Sequence, residues 1–85
     1  MTQIGKEDVA IELFRIVRNE IRVGTDFTPV SNLQQNGLDS LALTRLLLAV
    51  EERLGIWIDE SFLTPENLEN VETLAACVYE RLQDR

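Results

Sequence analysis

The chain has 85 residues, 45% of them hydrophobic and 27% charged, so a single domain is expected, with a thin core that buries roughly 60–65% of the unfolded surface. It contains no histidine and one cysteine, Cys77, which excludes Ser-His and Cys-His catalysis, an internal disulfide and a cysteine-built metal site. A formal net charge of −7 sets it against nucleic acid, whose phosphates need a basic face.

The charges are unevenly placed: residues 1–38 hold five acids and four bases, residues 39–85 ten acids and four bases. That acidic second half reads as a docking face for basic partners, beyond its contribution to solubility. Lysine or carboxylate-pair chemistry stays formally open, but Lys6 is the only lysine, and no catalytic residue or metal ligand stands out. The opening MTQIGKEDVA has no apolar signal core, and the longest apolar run, LLLAV at 46–50, is too short to span a bilayer. A cytoplasmic monomer with no membrane partner is the expectation.

The spacing of Val9, Leu13, Ile16, Val17 and Ile21, widened by Ala10 and Phe14, predicts a first helix over 5–23. Glu7 and Asp8 stand in its first turn and Arg18 and Arg22 in its last, the sign order a helix dipole favours. Gly24 can stop it. Residues 24–38, GTDFTPVSNLQQNGL, form a long connection rich in turn formers. Phe27, Val30 and Leu33 are expected to pin it to the core, and an anchored loop of this length is more often functional than filler.

A second helix begins at Asp39, a good N-cap, with Leu38 and Leu43 placed to staple its entry. Leu43, Leu46, Leu47, Val50 and Leu54 give its core stripe, and Gly55 ends it. Leu41, Arg45 and Leu48 fall off that stripe. The segment IWIDESFL at 56–63 reads as a packed connection anchored by Ile56 and Ile58, there being no second strand for it to pair with. Trp57 is expected to pack, and Asp59 with Glu60 to form acidic surface. Thr64-Pro65-Glu66 signals a short helix at 65–69. Asn70 then caps a last helix carrying Val71, Leu74, Ala75, Val78 and Leu82, with Cys77 as a small, inert, largely buried residue.

Ser40 sits at the mouth of the second helix, and GLDSLALTRLLLAVEERLGIWIDE around it resembles the phosphopantetheine-attachment segment of the acyl carrier proteins. The likeness runs the whole chain: first helix, long loop, DSL serine, acidic helix end and the closing NVETLAACV helix come in the family's order. It implies an all-α fold, a small four-helix bundle of acyl-carrier type with three longer helices and one short third helix, filling residues 1–85 as a single carrier domain.

The resemblance also implies roles. Ser40 would take phosphopantetheine from coenzyme A through a separate magnesium-dependent phosphopantetheinyl transferase, which Asp39 helps to engage. Leu41 and Leu48 would be apolar contacts to partner enzymes, and Glu51 and Glu52 acidic contacts to basic patches. Ala42 and Arg45 stand where fatty-acid-synthesis carriers usually have acids, which trims the negative face and puts a cation, Arg45, inside the partner surface. Trp57 and Asp59 also depart from the acidic-then-proline pattern common there. A stand-alone carrier of a specialised biosynthesis follows, served by an acyl- or aminoacyl-activating ligase and downstream enzymes, with no enzymatic activity of its own. NGLDS lacks the Gly-Gly pair, and the histidine in place of Asp39, that peptidyl carriers often show, which favours acyl over aminoacyl cargo. The remaining alternative is an unmodified docking module, which would need neither Ser40 nor Asp39.

Overall fold

Local capping chemistry sets the ends of each helix in the computed structural model, which describes residues 5–21 and 23–83. Helix α1 spans Lys6–Glu20; at its start the Asp8 carboxylate accepts the Gly5 N–H at 3.1 Å. Helix α2 spans Ser40–Leu54 and closes on Gly55 in the left-handed conformation, φ 69°, where a side chain would be strained. Helix α3 spans Val71–Gln83. Asn70 and Thr73 box its entry reciprocally, Asn70 Oδ1 accepting the Thr73 N–H at 2.8 Å and Thr73 Oγ1 the Asn70 N–H at 3.2 Å.

The core forms where α1 packs chiefly on α3 and also on α2. Val9, Leu13, Ile16 and Val17 meet Leu46, Val50 and Leu54 from α2 and Val71, Leu74, Ala75 and Val78 from α3. Ile56 and Ile58 are buried beside them, so the connection after α2 is anchored as its sequence predicts, and Cys77 is buried at 8% exposure. Leu82, Leu43 and Leu47 are only partly buried against this core.

Five expectations are corrected. The short helix at 65–69 is a turn, so the described residues contain three α-helices, no strand, and one-turn 3-10 helices at Gln34–Asn36 and Glu60–Phe62. One helical bond does form, Leu68 N–H to Thr64 O at 3.0 Å, but the Asn67 carbonyl accepts the Thr73 hydroxyl and its side chain donates to Phe62 O. A single turn with its carbonyls diverted cannot propagate.

Helix α1 stops at Glu20 instead of Val23, because Ile21 turns to extended backbone (φ −122°, ψ 134°) and buries its side chain. Gly24 lies beyond the stop, in a turn where it accepts the Phe27 N–H at 3.2 Å; Arg22 falls outside the described residues. In the loop, Phe27 and Leu33 are buried as expected, and Phe27 stacks on Phe14 at 5.5 Å. Val30 is instead 62% exposed, turned outward by the tight Thr28–Ser31 turn.

Trp57, expected to pack, is 65% exposed. Ile56 and Ile58 on either side take the inward positions, and extended backbone sends alternate side chains to opposite sides. Ala42 is buried at 8% exposure and belongs to the core stripe. The stripe of Leu43, Leu46, Leu47, Val50 and Leu54 read from the sequence thus gains Ala42.

Candidate functional site

Ser40 owes its position to a loop that is bolted down before it arrives. Pro29 O accepts the Glu72 N–H at 3.1 Å and Glu69 O accepts the Leu33 N–H at 2.9 Å, tying the connection to the entry of α3. Asn32 Oδ1 then accepts the Gln35 N–H at 2.8 Å and opens the 3-10 turn. Gly37 leaves that turn with φ 107°, and a Cβ there would stand 3.2 Å from Ile21 Cγ2. Only glycine combines that backbone with so close an approach. Leu38 N–H returns to Leu33 O at 3.0 Å, which aims Asp39 at the start of α2.

Asp39 caps α2, its Oδ1 accepting the Ala42 N–H at 2.8 Å. Ser40 follows as the first helical residue and is exposed. Its Oγ takes no hydrogen bond among the described residues. Neither its N–H nor that of Leu41 is used by another described group, so two orphan donors of the helix end face outward beside the hydroxyl. Below it, Thr44 Oγ1 donates to Ser40 O at 3.0 Å, placing Thr44 on the serine's side of the helix.

The partner-contact candidates share the solvent pole of α2. Leu41, Arg45, Leu48 and Glu52 recur at helical spacing and are all exposed, the two leucines at 62% and 54%. Glu51, also exposed, lies beside Ser40's side of the helix. The ion pair among the described residues joins Arg53 to Glu12 at 3.4 Å and leaves Arg45 outside it. Trp57 adjoins this surface: with Thr44, Leu47, Leu48, Ile58 and Asp59 it lines a groove of about 390 Å³. Trp57 was missed as a surface residue, although Ile-Trp-Ile carries the period-2 signal that would have found it.

Cys77 stands apart from this surface. Burial pushes its thiol pKa up from the usual value, Glu80 adds to the rise, and Arg81 opposes it; its Sγ contacts Phe62 O at 3.6 Å. The thiolate is the reacting form. In the folded protein at neutral pH, Cys77 is therefore expected to label with a maleimide far more slowly than after denaturation, as followed by intact mass.

Comparison with known proteins accounts for the serine-bearing helix. Residues 12–78 match the family model for the phosphopantetheine attachment site. Aminoacyl carrier protein 1 of Bradyrhizobium diazoefficiens is 36% identical over 73 residues, 86% of this chain and 81% of that protein. Aminoacyl carrier protein 2 of the same organism is 26% identical over 81 residues, 95% of this chain and 91% of that protein. Among solved structures, a chain of Bradyrhizobium japonicum glycine:[carrier protein] ligase complexed with glycylated carrier protein superposes with a TM-score of 0.61 at 30% identity, covering 85% of this chain and 95% of that one. The protein belongs to the carrier proteins of the phosphopantetheine-attachment family, and covalent phosphopantetheine is its prosthetic group. Carrier proteins of this kind are generally not catalysts.

The residues present fit that group. A phosphodiester on the Ser40 oxygen would stand at a helix N-terminus, beside the orphan N–H groups of Ser40 and Leu41, where donors and dipole favour an anion. Asp39 already accepts the Ala42 N–H, which leaves the N–H groups of Ser40 and Leu41 as the open donors at that helix end.

Proposed function

We propose that this protein is an aminoacyl carrier: Ser40 bears the phosphopantetheine arm, a dedicated ligase joins a small amino acid to the arm's thiol as a thioester, and later enzymes collect it. The observation that carries the attachment site is Ser40 itself, exposed and unbonded at the first position of a capped helix. An unmodified docking module would have no use for that hydroxyl. For the cargo, NGLDS favours an acyl group, but the relatives are named for aminoacyl carriage and the matching structure for a glycylated carrier. The weight falls on aminoacyl.

The chain's own contribution is presentation. Thioester chemistry belongs to the arm, and tethering keeps the cargo at high effective concentration for each partner in turn. Asp39 holds the mouth of α2 open and offers a charge to the transferase. Leu41 and Leu48 supply apolar contact, Glu51 and Glu52 steer basic surfaces, and Arg45 sets one cation among them. Such mixed surfaces favour fast, weak association and quick release.

The test is intact mass in two steps. Incubation with a broad-specificity phosphopantetheinyl transferase, magnesium and coenzyme A is expected to add one arm. A glycine-activating ligase with ATP is then expected to add one glycyl group, while a fatty-acid ligase with its substrate adds nothing. Loading by the fatty-acid ligase alone would return the cargo to acyl, and no arm at all would favour the docking module.

The partner surface gives its own expectation. Glu51→Lys with Glu52→Lys should slow arm attachment and flatten its salt dependence, since steering charges act mainly on association. Leu48→Ala should weaken docking while changing stability by under about 0.5 kcal/mol, as exposed truncations usually do. A Leu48→Ala protein that melts several degrees lower yet is modified normally would remove Leu48 from the interface.

A further inference from the structure

The groove between α2 and the connection that follows it shares Leu48 with the partner surface, and it holds the most exposed aromatic side chain of the chain. Trp57 is the only tryptophan and leaves 65% of its surface in water, an unusual placement for a residue whose ring is mostly apolar. Leu47, Leu48 and Ile58 share the groove with it, Thr44 supplies a hydroxyl and Asp59 the one charge. One carboxylate oxygen of Asp59 accepts the Ser61 N–H at 3.0 Å; the other takes no bond from the described residues.

The groove also lies on the serine's side of α2. Thr44 is one turn below Ser40 and bonded to its carbonyl at 3.0 Å. By helix rise, Thr44 is about 6 Å and Leu48 about 12 Å along the axis from Ser40. An extended phosphopantetheine, the length of four to five residues, reaches on the order of 15 Å. Apolar walls suit the arm's methyl and methylene groups. A lone carboxylate suits a cargo that ends in a cation, which an aminoacyl thioester does through its α-ammonium group and an acyl thioester does not.

We propose that this surface groove receives the loaded arm, with Trp57 covering it and Asp59 pairing the α-ammonium of the aminoacyl cargo, so that Trp57 and Asp59 select aminoacyl over acyl cargo. The proposal rests on the aminoacyl reading above and goes beyond it by naming the two side chains that tell aminoacyl from acyl cargo. A carboxylate exposed at a groove edge selects modestly, worth about a two- to fivefold difference in docked population.

Trp57 is its own probe. Amide-linked glycyl and acetyl arms, which do not hydrolyse, are installed by a broad-specificity transferase from the matching coenzyme A analogues, and acrylamide quenching of tryptophan fluorescence is compared with the apo protein. The glycyl arm is expected to lower the quenching constant by about half, one face of the ring being covered, and the acetyl arm to lower it less. Asp59→Asn should make the two arms equal, and Asp59→Glu should restore the difference. Equal quenching of apo, acetyl and glycyl forms would overturn the proposal, as would protection that appears only on adding the glycine-activating ligase. Equal protection by both arms in the unaltered protein would remove Asp59 from the assignment. No ligase is used to install the arms. A chain that refuses glycine from the ligase yet shows the Trp57 protection loses its cargo assignment and keeps the groove.

Discussion

Leu46→Ala is expected to cost about 2–5 kcal/mol, the range for truncating a fully buried leucine. Leu46 has 0% exposure and sits at the centre of the α2 stripe, between Ala42 and Val50. Small domains hold only about 5–15 kcal/mol in total, so the change removes a large share of what keeps this chain folded. Thermal unfolding followed by circular dichroism should show a melting temperature lower by roughly 10 °C or more. Arm attachment should fall only in step with the unfolded fraction, because Leu46 has no surface to offer a partner. An unchanged melting temperature would place the core elsewhere.

Ser40→Ala is expected to abolish arm attachment completely while leaving stability within about 0.5 kcal/mol of the parent. The Oγ takes no bond from the described residues, and the Thr44 hydroxyl bonds the Ser40 carbonyl, which alanine keeps. Asp39 separates two roles in the same way. Asp39→Ala should lose about 1 kcal/mol, since the cap on the Ala42 N–H disappears. Asp39→Asn keeps an acceptor there and should melt near the parent, yet be modified more slowly if the transferase reads the charge. Intact mass and thermal melts on the same samples check both. A Ser40→Ala protein that still gains an arm would move the attachment site off α2.

What could be read in the sequence was mostly local chemistry. Asp39, Gly55 and Asn70 announce helix ends because each satisfies orphan backbone groups within a few residues of itself. The leucine spacing of α2 likewise separates Leu46, which is buried, from Leu41 and Leu48, which are exposed. What failed depends on partners distant in the chain or on competing side chains. Phe27 and Val30 look alike in the loop, but Phe27 stacks inward on the Phe14 ring of α1, while the Thr28–Ser31 turn sends Val30 outward. Ala42 reads as a neutral surface residue until packing buries it. The turn at 65–69 has a good helical start, but Asn67 and Thr73 redirect its hydrogen bonds. Ser40 stands out in the sequence because a cap, a glycine and a helix mouth coincide there, and its proposed role rests on the resemblance of the surrounding segment to carrier proteins. The groove beside Trp57 needed the fold.

The two bonds from Leu33 to Glu69 and from Glu72 to Pro29 act as a latch that belongs to no helix. Breaking these two bonds would loosen the loop that delivers Ser40 without breaking a single turn of α1, α2 or α3. The amide protons of Leu33 and Glu72 thus report a local excursion, and those of Leu13 and Val50 the loss of the whole domain. Hydrogen exchange at the first pair, measured with and without a bound transferase, would separate a serine end that is already rigid from one that a partner must rigidify.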